Sequence, residues 1–150
     1  ILYSGTMSAA TEAAIEGIPS IGFSLCDHSW EADFSASRPI ITHLAENLVK
    51  HSLQEYTLLN VNIPKGTKVK GMKVCRQARA KWVERYDKRT DPYGRTYFWL
   101  TGEFVNLDSE GGTDEDYLAE GYASIVPVQF DLTSKEGTDF INKHWLWNEE

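Results

Sequence analysis

Two cysteines in 150 residues exclude a disulfide-stapled framework. Cys26 and Cys75 stand far apart without metal-type spacing, so both are expected as unpaired, buried or half-buried thiols. That usage fits a reducing compartment, and the expected location is the cytoplasm. No apolar run approaches the length that spans a bilayer, so no membrane partner is expected. Zinc is disfavoured, because His28, His43, His51 and His144 fall in different elements without His-x-x-x-His or His-Glu pairing. An EF-hand is excluded as well. Asp108, Glu110, Asp114, Glu115 and Asp116 lack its Asp-x-Asp-x-Asp-Gly run and read as a solvated loop. Neither Gly-x-Ser-x-Gly nor a Cys–His arrangement is present to support covalent catalysis. His28 beside Asp27 follows a strand end, where α/β sites form, yet it reads as a surface histidine. Initiator Met, signal peptide, internal repeats and low-complexity stretches are all missing.

What remains is ordinary for a globular α/β domain, with 41% apolar and 25% charged residues. The net charge of −7 hides an asymmetry, because 11 of the 15 Lys and Arg lie between Lys65 and Arg95 against three acids. That segment is +8 and the remainder −15. An acidic protein is a poor nucleic-acid binder by its bulk field, so nucleic acid is not the expected partner.

Apolar periodicity and punctuation place the elements. A helix is expected over 7–16, capped by Ser4 or Thr6 and stopped by Gly17 and Pro19. A strand over 20–26 reads as buried on both faces. A helix over 37–51 and a strand over 58–63 complete two helix–strand units, the signature of a wound α/β sheet. Two long strands over 70–86 and 95–104 are joined through Asp91-Pro92-Tyr93-Gly94, a turn tetrad with Pro second and Gly fourth. A short helical turn over 116–120 precedes a strand over 122–130, where Pro127 demands an edge or strand-end position. A last helix runs from Thr133 or Ser134 to about Trp147. The expected organisation is an α/β core over 1–66, a hairpin arm over 67–105, and a last core strand and helix over 106–150.

The chain opens on Tyr3-Ser4-Gly5-Thr6, a polar turn running straight into a helix of small residues. Free N–H groups and the helix dipole make such a turn an anion site. A turn of this kind normally follows a strand, so a portion of a larger enzyme is expected. On the hairpin, Arg76, Trp82, Tyr97 and Trp99 combine the residue types that anchor protein interfaces. Basic and aromatic alternation also suits nucleic acid, but the interface reading is the better one.

Several strings are specific. Tyr3-Ser4-Gly5-Thr6-Met7-Ser8-Ala9-Ala10 continues through Glu16-Gly17-Ile18-Pro19-Ser20-Ile21, and Leu59-Asn60-Val61-Asn62-Ile63-Pro64 follows. Downstream come Arg76-Gln77, Asp91-Pro92-Tyr93-Gly94-Arg95-Thr96-Tyr97-Phe98-Trp99 and Glu120-Gly121-Tyr122-Ala123-Ser124-Ile125-Val126-Pro127. Together they resemble the SurE family of stationary-phase survival nucleotidases. The resemblance implies a Rossmann-like three-layer core, its N-terminal part missing here, with a projecting β-hairpin arm and a C-terminal helix. It implies metal-dependent hydrolysis of nucleoside 5′- and 3′-monophosphates. It also implies a homo-dimer or tetramer held by the arm and the last helix. In the family a divalent metal, Mg or Mn, is held by an Asp-Asp pair, a Ser and an Asn upstream of the Tyr-Ser-Gly-Thr motif. None of those four falls within this chain. Only Ser4, Gly5 and Thr6, on the phosphate side, are carried over, and the chain alone is expected to be inactive. The rival expectation is a non-catalytic oligomerisation module working through its basic, aromatic hairpin.

Overall fold

The computed structural model describes residues 1–66 and 68–146. The chain is mixed α/β. Its elements are α1 (Gly5–Ile15), β1 (Ile21–Leu25), α2 (Ser37–Lys50), β2 (Thr57–Ile63), β3 (Met72–Val74), β4 (Ala80–Thr90), β5 (Thr96–Asn106), α3 (Asp114–Ala119), β6 (Ala123–Gln129) and α4 (Lys135–His144). Four strands form one sheet in the order β1-β2-β6-β3, and β4 and β5 form a separate ribbon. Strands β1 and β2 run parallel, β6 is antiparallel to β2, and β3 is parallel to β6. Among the described residues no helix is long and apolar enough to cross a membrane.

Side chains alternate across a strand, so the register assigns each residue a face. On one face Leu59, Val61 and Ile63 stand level with Ile21, Phe23 and Leu25 of β1 and with Ile125 of β6. Helix α2 seals that face through Ile40, Ile41 and Leu44. The opposite face carries Leu58, Asn60 and Asn62, and α1 covers only its beginning, where Met7 and Ala10 pack on Leu58. The helix sits close to the sheet because of Gly22. A Cβ built there would lie 2.5 Å from the Met7 sulfur.

Pro127 takes a position its missing N–H allows. The Ala123 N–H donates to Gly71 and the Ile125 carbonyl accepts from Cys75, so odd-numbered residues of β6 address β3. Strand β3 ends at Val74, opposite Ile125, and Pro127 therefore points its donorless nitrogen past the end of its neighbour. The edge expected for this residue exists from there on. Nearer its start β6 is an interior strand.

The expected strand over 70–86 is corrected. It is two strands belonging to different sheets, β3 in the core and β4 in the ribbon. Two carboxylates make the break. Asp114 Oδ1 accepts the Ala78 N–H at 2.8 Å, and Asp108 Oδ2 accepts the Arg79 N–H. The backbone N–H groups that a continuous strand would offer to a neighbour are captured from outside. The ribbon is the longest regular pairing in the molecule, from Ala80 opposite Asn106 to Thr90 opposite Thr96. At its tip the Asp91 carbonyl accepts from Gly94, whose φ of +80° suits glycine, while Asp91 Oδ1 accepts from Tyr93 and Arg95. Helix α4 is capped by Ser134 and ends at His144, before the expected limit. Trp147 lies outside the described residues.

Candidate functional site

The uncovered part of the α1 face is polar at the carboxyl ends of β1 and β2. Register places Gly22 level with Asn60 and Ser24 level with Asn62, and Ser124 of β6 stands opposite Asn62. Helix α1 runs back towards β1, so its N-terminus overhangs these residues. A cleft of about 250 Å³ results. Its walls include Ser4 and Met7 of α1, Ser24, Asn60 and Asn62 of the sheet, Gln77 and Ala78, Ala80 and Phe104 at the ribbon root, and Asp114 and Glu115 of α3.

The opening turn divides its labour. Ser4 is the N-cap, and its Oγ accepts the Met7 N–H at 3.2 Å. Thr6 is not the cap. Its methyl group points at Gly22, 3.5 Å from a Cβ built there, and its hydroxyl makes no hydrogen bond among the described residues. The N–H groups of Gly5 and Thr6 likewise have no acceptor among them. Two unsatisfied donors and a hydroxyl thus stand in the first turn of an eleven-residue helix, at its positive end.

The other end of the cleft has the opposite sign. Asp114 is 7% exposed, and its Oδ1 accepts from Ala78 and, at 3.0 Å, from the Glu115 N–H. Thr113 and Asp116 cap α3 reciprocally, the hydroxyl donating to Asp116 Oδ2 at 2.6 Å. Burial raises the Glu115 pKa above its ordinary value, and the charges of Asp114 and Asp116 add to the rise. Cys26 is also raised, first by burial and then by the Glu115 charge. It is an exposed thiol and Cys75 a half-buried one, and neither forms a disulfide.

The proposed interface residues do not share one surface. Trp82 lies level with Phe104 on one side of the ribbon, in a row with Tyr86, Phe98 and Leu100. Tyr97 and Trp99 lie on the other side, level with Arg89 and Asp87, and the Arg89 guanidinium sits 5.5 Å from the Trp99 ring. Arg76 is not on the ribbon at all. It stands in the connection between β3 and β4, pairing with Asp108 at 2.9 Å. That partner holds the Asp108 carboxyl below its ordinary pKa, helped by the Arg79 N–H. Its contribution to the root is present above the ordinary carboxylate pKa and is lost as pH falls through the depressed value.

The SurE family model, described as Survival protein SurE, matches residues 1–84, more than half of the chain. The chain belongs to the SurE family. A protein of Christiangramia forsetii named 5′-nucleotidase SurE is 59% identical over 136 residues, covering 89% of this chain and 52% of its own length. One of Flavobacterium psychrophilum with the same name is 51% identical over 150 residues, covering 99% of this chain and 58% of the relative. The crystal structure of SurE protein from Aquifex aeolicus superimposes with a TM-score of 0.79 at 35% identity, covering 95% of this chain and 58% of that one. This SurE-family chain therefore spans about half the length of the curated relatives it matches. Its Asn60 and Asn62 were passed over as plain strand residues. The signal was their alternation with Val61 and Ile63, which puts two amides on one face of the strand expected over 58–63.

Proposed function

We propose that these residues form the phosphate-binding part of a SurE-type nucleotidase acting on nucleoside 5′- and 3′-monophosphates. The N-terminus of α1 carries the reading: its Gly5 and Thr6 N–H groups and Thr6 hydroxyl have no partner among the described residues, and Ser4 and Met7 beside them line the cleft. Charge developing on the phosphoryl oxygens would be met by donors already in place. The names of the relatives support the substrate class. A Rossmann-like core with the ribbon as a projecting arm is part of the same reading, as is a homo-dimer or tetramer joined through the ribbon and α4. We place the whole in the cytoplasm.

The divalent metal of the family, Mg or Mn, does not fit the residues present. Among the described residues no group of three or more His, Cys, Asp or Glu is arranged to hold an ion. The ligands belong, on this reading, outside the 150 residues, and the work of this chain is to bind and orient the phosphate. The isolated chain is expected to turn over no nucleoside monophosphate with Mg²⁺, Mn²⁺ or Co²⁺. Phosphate release above a buffer control, from material free of longer protein, would sink that reading.

The decisive experiment separates Ser4 from Thr6 in a full-length protein carrying this segment. Thr6→Val keeps the methyl against Gly22 and removes one hydroxyl. A hydrogen bond to a charged group is worth about 1.5–3 kcal/mol, so kcat/KM should fall roughly ten- to hundred-fold. The Tm should hold, because Thr6 caps nothing. Ser4→Ala removes the cap and should cost about 1 kcal/mol of stability. Unchanged turnover in Thr6→Val would overturn the phosphate reading.

A further inference from the structure

We propose that the same cleft carries a nucleoside subsite, in which the Asn60 and Gln77 amides hydrogen-bond the edge of the base and Phe104 lies against its ring. The inference rests on the phosphate reading and adds which residues take the rest of the substrate. Asn60 is 6% exposed and lines the cleft, and its amide has no hydrogen-bond partner among the described residues. An amide that opens on a cleft and has no protein partner is free to bond a ligand there. Asn62 lines the same cleft, and Ser124 opposite it is fully buried with a hydroxyl that has no partner among the described residues.

Chemistry narrows the ligand. A carboxamide offers a donor and an acceptor side by side, the pattern that matches the edge of a heteroaromatic base. Gln77, on the exposed wall, provides a second. Phe104, Ala78 and Ala80 make the remaining wall apolar, and an exposed aromatic face stacks with any base. A cleft of about 250 Å³ has room for one base and sugar.

Electrostatics orients it. The α1 N-terminus is the positive end of the cleft and Glu115 the carboxylate end. A phosphate is attracted to the first and repelled from the second. Sugar hydroxyls, which donate, suit Glu115, whose carboxyl is not otherwise engaged among the described residues. The nucleoside therefore lies over Asn60, beneath the α1 N-terminus, and extends towards Gln77 and Phe104.

The test is an NMR titration of this 150-residue chain with inorganic phosphate, ribose 5-phosphate, the four ribonucleoside 5′-monophosphates and the four free nucleosides. At least one monophosphate should bind ten-fold or more tighter than ribose 5-phosphate. Asn60→Leu and Gln77→Leu should each bring that ratio close to one and leave inorganic phosphate binding unchanged. Asn60 is buried and its replacement costs stability, so the exposed Gln77 keeps the test sound. Monophosphates binding no tighter than ribose 5-phosphate would overturn the subsite, as would Gln77→Leu retaining the full ratio. If inorganic phosphate and ribose 5-phosphate fail to bind, the phosphate reading falls instead. The free nucleosides then decide the subsite alone: a nucleoside that binds and is lost in Gln77→Leu supports it, and none binding overturns it.

Discussion

Asp114→Ala lowers the Tm by roughly 6–12 °C at neutral pH, with the ribbon root as the part released first. The carboxylate accepts from Ala78 at 2.8 Å and from Glu115 at 3.0 Å. Removing it deletes charge-assisted bonds and leaves the buried Ala78 N–H without an acceptor. The combined cost is about 3 kcal/mol, and in a chain of this size each kcal/mol moves the Tm by roughly 2–4 °C. Asp114→Asn keeps an acceptor oxygen and should lose less than half as much. Circular dichroism melts of both variants check the result, with hydrogen exchange at Ala78 and Arg79 reporting the release. A shift under about 2 °C for the alanine variant would show that the root is held by something else.

Cutting the ribbon back is expected to abolish self-association and to spare the core. Lys81 and Val105 are register partners, so replacing residues 82–104 by Asn-Gly preserves a two-residue turn between them. The full ribbon exposes Trp82, Tyr86, Phe98, Leu100 and Phe104 on a single face. A two-stranded ribbon is marginal without a partner, and an apolar patch of this kind marks an interaction surface. Light scattering across a dilution series should give an assembled species for the intact chain and a single chain for the shortened one. The main melting transition should move by only a few degrees. Identical masses for both would remove the ribbon from any role in assembly.

The parts legible in the sequence are those whose cause is local. Ser4 before a small-residue helix, Ile21, Phe23 and Leu25 in β1, Ile40 and Leu44 in α2, and Ser134 before α4 all announce themselves within a few positions. The break between β3 and β4 does not. It is made by Asp108 and Asp114, which reach back 29 and 36 residues to Arg79 and Ala78. Nothing in the intervening string, alternately basic and apolar, hints at a stop. Arg76 was read as part of the ribbon for the same reason, while the structure ties it to Asp108 at the root. The opening turn was visible as residues. That Ser4 is spent on capping and Thr6 is free required the geometry. The cleft itself is a product of register: only the pairing of β1 with β2 and of β2 with β6 sets Ser24, Asn62 and Ser124 level with one another.

The ribbon is also a lever. Eleven paired positions extend it by roughly 35 Å. A rotation of about 10° at its base would carry the tip through roughly 6 Å, more than a side chain's reach of error at any interface. Aim is therefore set at the fulcrum, where Asp108 and Asp114 fasten two successive N–H groups of the incoming strand. Asp114 is buried as well, and it borders the cleft. Whatever loosens or tightens that fastening is magnified at Asp91-Pro92-Tyr93-Gly94, the far end of the beam.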